Sequence, residues 1–260
     1  MKKVKTTKGS KLTLEVSFMY ASVSGMSVAG LSAQLIKVEV DISNGLPAFD
    51  IVGLANTSVK EAKDRVRSAL RNSGFSFPLQ RITVNLAPAD LRKEGSGLDL
   101  PIALGILAAM NEIDSSLLRN YIFAGELSLE GLLRPITGIL TMAVCLRQLQ
   151  IEDESWDSVQ DESLPEQPFT LVIPPGNLAE ARIVPGIMSE SVVSLARLVR
   201  ILKKEESFSV TVTSEQEVSN ISKPQIDWSD INGQNQAKRA LELAAAGGHN
   251  LLRLCDDVHL

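Results

Sequence analysis

Apolar and polar residues alternate through AQLIKVEVDI, which places Leu35 or Ile36 on one side together with Val38, Val40 and Ile42. A period of two predicts a half-buried strand. Asn44-Gly45 follows as a turn signal, and LPAFDIVGL supplies a second strand closed by Gly53, so an antiparallel pair is expected. The period then lengthens. Val59, Ala62, Val66, Ala69 and Leu70 share one helical face, with Lys60, Lys63, Arg65, Arg67 and Arg71 around the remainder and Gly74 as the stop. Ser58 and Glu61 have capping-box spacing, in which each side chain satisfies an orphan backbone N–H of the first turn. RITVNL (81–86) alternates as a further strand. LPIALGILAAM, with Pro101 near its start, is apolar on nearly every face and predicts a helix buried against the sheet.

The second half repeats this logic. YIFAGELSLEGLLRPI reads as two strands around a turn at Glu130-Gly131, followed by an apolar helix from about Thr137 to Gln150. FTLVIP is a strand, and Leu195, Leu198, Val199 and Leu202 mark an amphipathic helix. Residues 152–168 are acidic and rich in Ser, Gln and Pro; residues 1–18 carry five lysines among small polar residues. Neither stretch offers apolar surface to offset an ordering entropy of ~1–2 kcal/mol per residue, so both are expected to be poorly ordered. Periodicity fades again from 204 to about 223, then returns in the helical run QNQAKRALELAAA. The expected organisation is a tail (1–18), a domain (19–203) with an acidic insertion near 152–168, a linker (204–225) and the start of a second module (226–260).

Charge and composition narrow the function classes. Lys and Arg number 26 against 31 Asp and Glu, a formal net charge of -5. That balance gives no support to a protein that coats DNA along its whole surface, because phosphate neutralisation needs excess cations. Cys145 and Cys255 are too few for a disulfide framework or a four-cysteine zinc site, which points to a reducing compartment and a cytoplasmic chain. The longest apolar stretch, Leu98 to Met110, is interrupted by Asp99 and is shorter than the ~20 residues that span a bilayer.

Candidate chemistry lies in KEGSGLDLP (93–101), a Gly-rich loop opening onto a helix N-terminus, where backbone N–H groups can hold an anion or oxyanion. A tight turn delivering a buried helix is the competing reading. Ser96 is its one plausible nucleophile, but His249 and His259 lie near the C-terminus and the 137–150 helix contains Arg147 and no lysine, so no base is evident. The segment 226–252 resembles the approach to a phosphate loop, yet G-x-x-x-x-G-K-[ST] does not follow; the chain reads LLRLCDDVHL instead.

VEVDISNGLPAFDIVGL, SVKEAKDRVRSALRNSGF, ITVNLAPADLRKEGSGLDLPIALGIL, FAGELSLEGLLRPITGIL and DINGQNQAKRALELAAAGGHN, in that order, resemble the YifB/ComM family of Mg-chelatase-like AAA+ ATPases. The resemblance implies an α+β fold like the proteolytic domain of Lon, a mixed sheet with helices mainly on one face, followed by a truncated stub of an ATPase module. Aligned on Lon, Gly97 takes the position of the catalytic serine and Leu140 lies at or near that of the lysine, so the dyad is lost. Ser96 sits one residue early. On this reading Ser96 has no Lys or His in reach, and Leu140 is packed in the core near Gly97. Ile231 and Gly233 match one side of an adenine pocket. The family implies ATP and Mg2+ as cofactors of full-length members, a homo-hexamer, DNA bound through the ATPase module, and ATP-driven branch migration in natural transformation. For this chain the expected role is a non-proteolytic domain without its own cofactor or metal, at most assembling or binding a partner. The alternatives are a Lon-type serine peptidase using Ser96 and a gene fragment without function.

Overall fold

The computed structural model describes residues 19–30, 32–89, 93, 95–154, 169–208 and 232–248. The chain divides into two compact units, Met1–Ser209 and Val210–Leu260. The expected tail at 1–18, residues 155–168 of the expected insertion, and 209–225 of the expected linker lie outside the described residues.

The first unit is built on a seven-stranded mixed sheet. Its strands are β1 (Tyr20–Ala29), β2 (Ser32–Ser43), β3 (Ala48–Val52), β4 (Arg81–Ala87), β5 (Tyr121–Phe123), β8 (Thr170–Ile173) and β9 (Met188–Ser191), in the order β3-β4-β2-β1-β5-β8-β9. A small hairpin, β6 (Glu126–Leu127) with β7 (Leu133–Arg134), stands apart and matches the expected turn at Glu130-Gly131. The helices are α1 (Thr57–Asn72), α2 (Asp99–Ala109), α3 (Ile139–Glu154), the short α4 (Leu178–Ala181) and α5 (Leu195–Leu202). The second unit contributes α6 (Asn235–Gly247).

The expected hairpin of β2 with β3 does not form. β4 lies between them, antiparallel to β2 (Val40 opposite Val84) and parallel to β3 (Ile51 opposite Val84). A helix-length connection favours parallel pairing: β3, α1 and β4 make a crossover unit, whereas a two-residue turn would have forced β2 and β3 together. The antiparallel partner of β2 on its other side is β1, joined to it around Gly30 at φ +63. β1 (YASVSGMSVA) was illegible to the pattern because its residues are small. They are small because α2 comes close: a Cβ on Gly25 would stand 2.9 Å from Pro101 Cγ, and one on Gly105 of α2 would stand 3.7 Å from Val23 Cγ2 of β1.

Helices cover both faces, α1, α2 and α5 on one and α3 and α4 on the other, where they were expected mainly on one. Ala21, Val23, Val38, Val40, Val84, Phe123 and Val172 pack with α1, α2 and α5 in the larger core. Met26, Ile122, Ala124, Leu171 and Ile173 point the opposite way, into a second core with Ile139, Met142 and Leu146 of α3 and Ala181 of α4. The short parallel strands β5 and β8 are therefore buried on both sides, the usual condition of parallel strands.

The capping box is also corrected. Asn56 is the N-cap of α1, its side-chain oxygen accepting from the Val59 N–H at 3.0 Å, and Ser58 falls inside the helix. The face Val59, Ala62, Val66, Ala69 and Leu70 is buried as its period requires. Every residue of α2 is buried. α3 runs through Glu154, past the start of the acidic stretch. Residues 204–208, expected in a linker, lie on the first unit: Glu206 pairs with Arg197 (3.3 Å) and Arg200 (2.5 Å), and Phe208 lies 6.1 Å from the Tyr121 ring.

Candidate functional site

After β4 the chain reaches Lys93, which bridges Ala55: its N–H donates to Leu54 O (3.3 Å) and its carbonyl accepts from Asn56 N–H (3.2 Å). The side chain of Lys93 is wholly buried, and Nζ donates to the Pro88 carbonyl. The chain then turns at Gly95 (φ +79), and the Asp99 N–H closes the turn on the Ser96 carbonyl at 3.2 Å.

The start of α2 is a potential anion cradle, and the fold fills much of it internally. The Leu100 N–H donates to Gly125 O at 3.1 Å, while Gly125 N–H donates back to Gly97 O at 2.9 Å. The first turn also carries its own negative charge in Asp99, which offsets the positive end of the helix dipole. Asp99 is 1% exposed. Its Oδ2 accepts from Arg65 Nε at 2.7 Å and from Leu127 N–H at 3.2 Å, and Oδ1 accepts from Arg65 Nη2 at 3.0 Å. Burial pushes the Asp99 carboxyl above its ordinary range, against the opposing pull of the Arg65 hydrogen bonds and charge. The same hydrogen bond holds Arg65 above its ordinary value.

Ser96 is half-buried, and its hydroxyl donates to Glu126 Oε2. Glu126 Oε1 lies 3.9 Å from Arg134 Nη1, so β6 and β7 contribute a second charge pair beside the loop. Gly97 is buried; a Cβ there would meet Ile136 Cδ1 at 3.1 Å and Met142 Cε at 4.0 Å. Leu140 is not packed beside Gly97. It is 39% exposed, and its backbone N–H donates to Glu180 Oε1 at 2.9 Å. α3 buries Ile139, Met142, Ala143 and Leu146, and a rotation of about 100° per residue carries Leu140 and Val144 toward solvent.

The arrangement joins Ser96, Gly97 and Asp99 at one helix start and leaves Leu140 outside it. Its organising residues, Arg65 and Glu126, were not singled out as partners in the sequence. One signal did exist: Asp99 interrupts an otherwise apolar run, and a buried carboxylate requires a partner.

Ile231, His249 and His259 lie outside the described residues. Gly233 precedes α6 at φ +74, with nothing within 4 Å of the place where a Cβ would stand, and α6 has no buried residue. Among the described residues, no group of three or more His, Cys, Asp or Glu is placed to hold a metal ion, and no helix is long and apolar enough to cross a membrane.

Residues 38–153 match the family described as subunit ChlI of Mg-chelatase, and residues 227–256 match that of magnesium chelatase, subunit ChlI. The chain is 41% identical over 236 residues to competence protein ComM of Haemophilus influenzae, covering 90% of this chain and 43% of that protein. It is 37% identical over 232 residues to YifB of Salmonella typhimurium (89% and 42%) and 39% identical over 223 residues to YifB of Escherichia coli (86% and 40%). The chain thus spans less than half the length of these relatives.

Proposed function

The chain belongs to the YifB/ComM family, and from this we propose that residues 19–208 form a non-proteolytic domain serving an ATP-driven DNA-remodelling protein. The loop that resembles the Lon nucleophile turn acts as a structural joint between α1, α2 and the β6–β7 hairpin. The observation that carries this reading is the engagement of its polar groups. Ser96 is held by a carboxylate, Asp99 by Arg65, and the Leu100 N–H by the Gly125 carbonyl. A serine nucleophile needs a base that takes its proton and donors left open for the oxyanion. Here the Lon-like positions are a glycine, Gly97, and a solvent-facing leucine, Leu140.

DNA as the ultimate substrate is proposed from the competence protein's name and from the family resemblance. Residues 19–208 contain no G-x-x-x-x-G-K-[ST], so in this proposal they serve Mg-ATP turnover without performing it.

A fluorophosphonate probe tests the central claim. The folded chain is expected to remain unlabelled at Ser96. Stoichiometric labelling that disappears in Ser96→Ala would overturn the reading of Ser96 as a structural residue, and cleavage of a peptide substrate lost in the same variant would put the peptidase reading in its place, with Glu126 as the base.

A further inference from the structure

We propose that the solvent face of α1 is a nucleic-acid phosphate-binding surface, so that the first unit contacts the duplex itself. The inference rests on the DNA-remodelling reading for its biological setting and on the following geometry for its location.

Lys60, Lys63, Arg67 and Arg71 recur along α1, a run of about 16 Å at 1.5 Å per residue. Arg67 and Arg71 are exposed, and both guanidinium groups lie against one ring: their central carbons are 5.0 and 5.9 Å from the Phe77 centroid. Phe77 is itself fixed against Phe49 of the core at 6.0 Å. The stacking limits the motion of two long side chains and leaves their N–H edges free to donate. Neither has a carboxylate within ion-pair distance among the described residues, whereas Arg65, Arg81, Arg134, Arg197 and Arg200 each have one.

Arg81 extends the surface across β4. It shares Asp50 with Lys63, at 3.3 and 3.9 Å. Five cations therefore stand against Asp50 and Asp64, on a chain whose net charge is -5. Glu61, on the adjoining face, lies 3.9 Å from Arg65.

A straight array of cations suits a straight polyanion. Duplex DNA carries one charge per ~1.7 Å of axis with both strands counted, so the length of this face spans roughly nine phosphates, about five of them on either strand. An anionic membrane is less well served, because Lys60, Asp64, Arg67, Ser68, Arg71 and Asn72 present no apolar residue to insert. Leu46 and Leu79, exposed beside β3 and β4, make vesicles the necessary comparison.

The test is fluorescence anisotropy of a labelled duplex of arbitrary sequence titrated with the full chain from 50 to 200 mM salt. The wild type is expected to bind with a log–log salt slope of about -3 or steeper, and Arg67→Gln/Arg71→Gln to weaken binding about tenfold at low salt and flatten the slope by about 2. Arg119→Gln/Lys203→Gln, which removes the same charge elsewhere, should change little. Arg67→Lys/Arg71→Lys should keep the slope but lose affinity with the stacked fork. Thermal melts verify that all variants are folded. Absence of binding at 50 mM salt overturns the inference, as does wild-type binding by the Gln variant. So does retention on phosphatidylserine vesicles that duplex cannot compete away. None of these results touches the non-proteolytic reading, which stands or falls on the labelling of Ser96.

Discussion

Arg65 of α1 grips Asp99 at the start of α2 through two hydrogen bonds, Nε to Oδ2 at 2.7 Å and Nη2 to Oδ1 at 3.0 Å, across 34 residues of sequence. The pair fixes the entry of the fully buried helix against the helix that carries the basic face. Two functions proposed for this unit thereby share one joint.

Arg65→Met is expected to destabilise the fold by ~3–5 kcal/mol at pH 7.5, because it strands a buried carboxylate. Burial raises Asp99 in the folded state, so the folded chain holds that proton more tightly than the unfolded chain does. The stabilisation from this group is complete below the unfolded carboxyl's range and is lost as pH rises through the raised value. Arg65→Met raises it further, and the deficit should shrink at pH 5. Urea unfolding at both pH values measures this. Arg65→Met/Asp99→Leu should recover much of the loss; a double variant as unstable as the sum of its singles would contradict the pairing.

Gly105 reports how closely α2 approaches the sheet. Alanine at a helical glycine normally gains ~1 kcal/mol. Here the new Cβ would stand 2.6 Å from Cγ2 of Val40, a branched side chain with little freedom to move. Overpacking of this kind costs ~1–3 kcal/mol, so Gly105→Ala should be destabilising on balance. A raised melting temperature would show that the helix stands off from β2.

Building a Ser–Lys pair at positions 97 and 140 should not create a nucleophile. The Cβ of Gly97→Ser meets only the end of Ile136 closely, at 3.1 Å, and the variant is expected to fold, as a thermal melt would check. Gly97→Ser/Leu140→Lys should still not react with a fluorophosphonate, because position 140 faces solvent. Specific labelling at residue 97 would place the lysine where we say it cannot reach.

Asn56→Ala should cost ~1 kcal/mol by removing the cap on α1, measured by chemical denaturation. An unchanged midpoint would return the capping role to the Ser58–Glu61 pair.

The sequence by itself determined which faces are buried and which words mark the family. β2, β4, α1 and α5 follow from local periodicity, since a strand repeats every two residues and a helix every 3.6 whatever lies across from them, while α2 and β8 follow from unbroken apolar runs. The ordered words from VEVDISNGLPAFDIVGL to DINGQNQAKRALELAAAGGHN identified the YifB/ComM kinship before any coordinate. Tertiary structure decided everything that depends on a partner. A buried face does not say what covers it: β3 took β4 and not β2, and β5 and β8 acquired a helix layer on each side. β1 left almost no pattern, because its small residues answer to the close approach of α2 and not to a period of their own. Leu140 turned outward through a rotation of one residue on α3. Arg65 became the partner of Asp99 because the folded core leaves a buried carboxylate no water to turn to, and α1 brings the guanidinium there.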